Sequence, residues 1–135
     1  MKNITIFTDG ASRGNPGEAS CGFVVYENEK IVERKGITLG TQTNNTAEYQ
    51  GVIEAFKWVR ANYGTGDVEI QFKMDSMLVS RQMKGEWKIK FEHLRNLYFT
   101  AKTYEKQFKS VTYSHVRREE NFEADRMANI ALDGE

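Results

Sequence analysis

Four of the nineteen acidic side chains, Asp9, Glu48, Asp75 and Asp125, fall where a carboxylate is hard to explain as solvated surface. Unpaired carboxylates are almost never fully buried, because leaving water costs them too much. Asp9 closes the strand-like run Ile4-Thr5-Ile6-Phe7-Thr8 and precedes a glycine; in sheets covered by helices, strand ends are where ligands collect. Asp-Gly is also a common turn pair, so Asp9 alone decides little. Glu48 precedes Val52, Ala55, Phe56 and Val59 by 4, 7, 8 and 11 residues, which sets it on the inward face of a helix. Its expected place is the first turn, where the helix dipole favours a carboxylate and a capping box with Asn44 or Asn45 is an ordinary alternative. Asp75 ends a second alternating run and precedes a helical pattern at Ser76, so N-capping competes there. Asp125 lies three and seven residues before Ala128 and Leu132, again on the apolar side.

Two strand ends and two inward helix positions can converge on one edge of a sheet. Four carboxylates gathered there repel one another and are poorly solvated, which is costly unless cations neutralise them. Hard oxygen donors with no cysteine cluster select Mg²⁺, or Mn²⁺ in its place, over zinc. Two such ions suit in-line displacement at phosphorus, one activating water and the other stabilising the leaving oxygen.

The elements that must position these groups follow from periodicity. Lys2 to Asp9, Cys21 to Tyr26 and Ile31 to Leu39 read as strands, the last two joined by the turn Glu27-Asn28-Glu29-Lys30. Gly10 to Gly17 reads as a loop, punctuated by glycine and the sole proline. A long helix, capped by Asn44 or Asn45, runs to about Asn62 and stops at Gly64-Thr65-Gly66. Val68 to Asp75 is a fourth strand, Ser76 to Met83 a short helix, Phe91 to Lys106 an amphipathic helix, Val111 to Val116 a fifth strand and Asn121 to Leu132 a closing helix. The order β-β-β-α-β-α-α-β-α describes a mixed α/β fold, a five-stranded mixed sheet flanked by helices.

The chain's 135 residues suit one domain spanning 1–135, with no repeat or linker. The lone Cys21 excludes an internal disulfide, suits a buried small hydrophobe and fits a reducing cytoplasm. No apolar run long enough to span a membrane and no leader pattern is present, so the expectation is a cytoplasmic monomer with no membrane partner. Nineteen basic and nineteen acidic residues cancel, which counts against a nucleic-acid partner unless the charges are segregated. They are segregated: Arg81, Lys84, Lys88 and Lys90 gather around Trp87, and Arg117 adjoins Arg118.

The segments Phe7-Thr8-Asp9-Gly10-Ala11-Ser12-Arg13-Gly14-Asn15-Pro16-Gly17, Thr43-Asn44-Asn45-Thr46-Ala47-Glu48, Asp75-Ser76 and His115-Val116-Arg117-Arg118-Glu119-Glu120-Asn121-Phe122-Glu123-Ala124-Asp125 together make the chain resemble type 1 ribonuclease H over nearly its whole length. The resemblance implies a ribonuclease H-like fold and cleavage of the RNA strand of RNA–DNA hybrids, leaving 3′-hydroxyl and 5′-phosphate ends. It makes Asp9, Glu48, Asp75 and Asp125 the metal-binding and catalytic carboxylates, and either His115 or Arg118 the auxiliary catalytic group. It further implies that Gly10, Ser12, Asn15 and Asn44 contact the RNA strand and that Thr43 and Asn45 bind the DNA side. Relatives carry Asp-Ser-Gln-Tyr where this chain has Asp75-Ser76-Met77-Leu78, and Met77 cannot donate the glutamine hydrogen bonds. Residues 81–90 are too short for the basic protrusion of other members. They still set Trp87 beside Lys88, a pair suited to sugar stacking and phosphate contact, so the expectation is weaker hybrid binding with steep salt dependence. Two alternatives stay open: another nuclease of the same fold, such as an integrase, resolvase or exonuclease, or a non-catalytic hybrid-binding module.

Overall fold

The computed structural model describes residues 2–134; Met1 and Glu135, the ends of the 1–135 span, lie outside them. The elements are β1 (Lys2–Gly14), β2 (Gly17–Glu27), β3 (Lys30–Gln42), α1 (Asn44–Tyr63), β4 (Gly66–Met74), α2 (Met77–Met83), α3 (Glu92–Glu105), β5 (Phe108–His115) and α4 (Phe122–Asp133), with one 3₁₀ turn at Arg118–Glu120. The strands form one sheet in the order β3-β2-β1-β4-β5. β1 runs antiparallel to β2 and parallel to β4, and β5 joins β4 in parallel. This is the expected mixed five-stranded sheet.

Alternation along the strands builds the core. Ile4, Ile6 and Thr8 are buried and pair with Ile70, Phe72 and Met74 of β4. The apolar stripe of α1, with Tyr49, Val52, Phe56 and Val59 all buried, packs on that face. Phe56 meets Phe72 edge to face at 4.9 Å between ring centroids, so Phe56→Ala should cost about 3–5 kcal/mol. α4 covers the opposite face. A Cβ on Gly22 would sit 2.5 Å from the Ala124 carbonyl oxygen, whereas the Cβ of Cys21, one residue away, turns toward Gly51 of α1. Only glycine lets α4 lie this close to β2. Ser20 then donates to the Ala128 carbonyl at 2.6 Å. Cys21 is buried, as expected.

Several boundaries differ from the sequence expectation. The Gly10 to Gly17 loop is mostly strand: β1 continues to Gly14 and pairs with β2 from Asp9↔Gly22 to Gly14↔Gly17, leaving a tight turn at Asn15-Pro16. Gly10 is there for close approach, not for a turn, since a Cβ would lie 2.4 Å from the Glu48 nitrogen. The cap of α1 is Thr43, whose side chain accepts from the Thr46 N–H, rather than Asn44 or Asn45. Glu48 consequently falls in the second turn, and no acidic residue occupies the first; its explanation is the cleft, not the cap or the dipole. β5 starts earlier than expected, at Phe108. Among the described residues no helix is long and apolar enough to cross a membrane.

Candidate active site

Parallel pairing of β1 with β4 brings the first two carboxylates together. Thr8 pairs with Met74, so Asp9 within β1 and Asp75, just past the end of β4, emerge side by side. Glu48 arrives from above on α1: its Oε1 accepts the Gly10 N–H at 2.9 Å, a contact that the missing Gly10 side chain permits. Carboxylate oxygens of Asp9, Glu48 and Asp75 all lie within 4.8 Å of one another. Asp125, from α4, reaches Asp9 with its side chain and lines the same cleft of about 430 Å³. Ser76 caps α2 by accepting from the Val79 N–H at 3.2 Å. Asp75 is thereby spared the capping role that competed for it.

The electrostatics are those of a site short of positive charge. Burial pushes the Asp9 carboxyl far above the ordinary carboxylate range, and the neighbouring Glu48 and Asp75 charges push the same way. Burial raises Glu48 too, against the opposing pull of the Gly10 N–H. Glu48 Oε2 is buried with no hydrogen-bond partner. An orphaned oxygen on Glu48 in a cluster where Asp9, Glu48 and Asp75 gather carboxylate oxygens is the donor set of a hard divalent cation, and the residues fit one.

Of the two auxiliary candidates, Arg118 lines the cleft, with its Nε 3.8 Å from Asp75 Oδ2. His115 ends β5 opposite Met74, exposed, and is not part of the cleft lining. Gly10, Ser12, Asn44 and Asn45 form the cleft rim. Ser12 donates to the Gln42 carbonyl at 2.9 Å, and Asn15 accepts from the Asn44 N–H at 3.0 Å. These two contacts hold the 42–44 segment in place. Thr43 is occupied as the helix cap. Trp87 and Lys88 border a neighbouring groove that Asn45 joins to the cleft.

One residue was missed as a site component. Asn121, only 1% exposed, donates through Nδ2 to the Thr8 carbonyl at 2.8 Å and to Asp75 Oδ1 at 3.3 Å. It ties the start of α4 to β1 beside Asp9 and to Asp75 at the end of β4. Its spacing of four before Asp125 is a helical one, a signal that periodicity alone reads as a helix start.

The chain can be set beside known proteins. A family model described as reverse transcriptase-like matches residues 7–131. Bifunctional protein Rv2228c of Mycobacterium tuberculosis is 40% identical over 96% of this chain, which spans 35% of that protein. Ribonuclease HI of Halobacterium salinarum is likewise 40% identical over 96% of the chain, which spans 64% of it. The crystal structure of RNase H1 from Halobacterium salinarum superposes with a TM-score of 0.92 at 38% identity, covering 98% of this chain and 99% of that one. The chain belongs to the type 1 ribonuclease H family. LC11-RNase H1 in complex with RNA/DNA hybrid is also similar, with a TM-score of 0.92, 32% identity and 97% coverage of both chains. Within the ribonuclease H family this is a short form: only residues 84–91 connect α2 to α3, with no room for a basic protrusion.

Proposed function

We propose that this protein hydrolyses the RNA strand of RNA–DNA hybrids endonucleolytically, with Mg²⁺ as cofactor, leaving 3′-hydroxyl and 5′-phosphate ends. The observation that carries the proposal is the convergence of Asp9, Glu48 and Asp75 within 4.8 Å, with Asp125 in the same cleft. A protein that merely binds hybrids has no use for carboxylates that repel one another in a buried site. The relative LC11-RNase H1, seen with an RNA/DNA hybrid, supports the substrate.

In this mechanism Asp9, Glu48, Asp75 and Asp125 would hold two Mg²⁺ ions, or Mn²⁺ in their place, with substrate bound. The bound ions would supply Lewis acidity at the phosphorus and lower the pKa of water. Bound cations would offset the burial that raises the Asp9 and Glu48 carboxyls and the repulsion from their carboxylate neighbours. Asn121 keeps Asp75 aimed into the cleft through its 3.3 Å contact. Arg118, at the rim, is the better auxiliary group by position and is free to swing toward a phosphate, its side chain being 88% exposed. Gly10, Ser12, Asn15 and Asn44 meet the RNA strand; Thr43, Asn45, Trp87 and Lys88 meet the DNA strand.

The test is incubation with an RNA–DNA hybrid, matched double-stranded RNA and matched double-stranded DNA, each with Mg²⁺ and with EDTA. Cleavage of the hybrid's RNA alone, and only with Mg²⁺, is expected. Cleavage of DNA, or of any substrate in EDTA, would refute the proposal.

A further inference from the structure

Trp87 and Lys88 stand on a ridge between two grooves. On one side is a groove of about 480 Å³, bordered by Asn45, Leu78, Lys90 and Phe91. On the other is a groove of about 550 Å³, closed by Arg95, Tyr98 and Phe99 of α3. The cleft, the first groove and the second groove adjoin in series, because Asn45 borders the first two and Trp87 with Lys88 the last two.

The ridge is built rather than loose. Arg81 accepts the N–H groups of Glu86 and Trp87 on its carbonyl at 2.9 and 3.3 Å, and its guanidinium lies 5.8 Å from the Trp87 ring centroid. The buried Gln82 donates to the Lys88 carbonyl at 3.2 Å while accepting from the Tyr49 hydroxyl at 2.6 Å. Arg95 donates to the Ile89 carbonyl at 3.1 Å. Holding a short segment this firmly while leaving Trp87 45%, Phe91 70% and Phe99 57% exposed suits an occupant for the aromatic faces. Cations accompany them: Lys88, Lys90 and Arg95 line the two grooves. The one acid on the ridge, Glu86, is paired with Arg81 at 2.8 Å and Lys84 at 3.9 Å, so it does not repel a phosphate.

Exposed aromatic faces interleaved with cations are the composition of a track for an unpaired nucleic-acid strand. A duplex hides its base faces in its own stack; only unpaired bases can offer theirs to Phe99. Asn45 and Trp87 carry the DNA side in the function proposed above, so the strand continuing past the ridge is DNA. We propose that the second groove, between the Trp87 ridge and Phe99, binds unpaired nucleotides of the DNA strand that extend beyond the hybrid. This inference rests on the hybrid assignment and adds a preference for hybrids with a single-stranded DNA flank.

The experiment measures Kd by fluorescence anisotropy, in EDTA, for a blunt hybrid and for the same hybrid with an overhang of ~6 nucleotides: DNA 3′, DNA 5′, RNA 3′ or RNA 5′. One DNA polarity should tighten binding about tenfold, the worth of a single stacked base. Phe99→Ala and Phe99→Leu should both abolish that gain with the blunt Kd unchanged. Leucine keeps an apolar side chain against Tyr98 but has no π face, so it decides the matter should the alanine variant fold poorly. No gain from any overhang, equal gain from RNA, equal gain at both ends, or a gain that survives Phe99→Leu each overturns the inference. Mg²⁺-dependent cleavage of the blunt hybrid is measured separately, so failure of the hybrid assignment is told apart from failure of the groove.

Discussion

The floor of the cleft and the Trp87 ridge solve opposite problems. On the floor, strands β1 and β4 and helices α1 and α4 force carboxylates into a buried place where they repel one another. On the ridge, hydrogen bonds to the Arg81 carbonyl and from Gln82 and Arg95 hold apolar rings out in water. Both arrangements are unfavourable in the protein alone and would be relieved by the ligands proposed above: a divalent cation in one case, a nucleic-acid strand in the other. The floor should therefore govern turnover and the ridge affinity, and substitutions can separate the two.

The largest effect is expected at the floor. Asp75→Asn removes a ligand charge while keeping the shape, and should lower kcat by about 10³-fold or more; hybrid binding should survive. Full activity in that variant would dissolve the distinction between the two regions. Asn121→Ala comes next. It leaves Asp75 and the Thr8 carbonyl without a buried donor and should cost about 1.5–3 kcal/mol of stability, read by thermal melting, with a raised Mg²⁺ half-saturation that a purely structural role would not produce. At the ridge, Trp87→Ala should raise KM about tenfold with kcat nearly unchanged; a matching fall in kcat would show that ridge and floor are not separable. The smallest change is Lys88→Ala, which should lower the slope of log Kd against log salt by about 1.

The sequence reveals these two regions unequally. Helical phase alone pointed Glu48 and Asp125 inward, and both line the cleft. Asp9 and Asp75 leaned on resemblance, because their adjacency depends on β1 and β4 pairing in parallel at Thr8↔Met74, a long-range fact with no local signature. The strand extension past Asp9 is hidden in the sequence because glycines signal turns more often than close approach; Gly10 serves the latter. Thr43 outcompeted Asn44 and Asn45 for the cap, and all three have the side chain for it. The ridge was visible as Trp87 among lysines, but the Tyr49–Gln82–Lys88 connection that fixes it joins three separate segments and leaves no pattern in the chain. Zero net charge concealed the segregation that matters.

The raised carboxyl pKa values have a sign that can be checked. Groups protonated more readily in the folded state stabilise it fully below their unfolded pKa, and that contribution is lost as pH rises through the folded value. Without metal, melting temperature should therefore fall as pH climbs above about 4.5, the ordinary value for Glu48, and added Mg²⁺ should restore more stability at the higher pH.

The central claim is that the converging carboxylates of Asp9, Glu48 and Asp75 form a divalent-cation site in which cation and proton compete. Calorimetric titration of Mg²⁺ into the protein near neutral pH, repeated in buffers of different ionisation enthalpy, counts the protons released. Net proton release on binding, with affinity lost in Asp75→Asn, is the predicted result. Binding without proton release, or equal affinity in the variant, would contradict it.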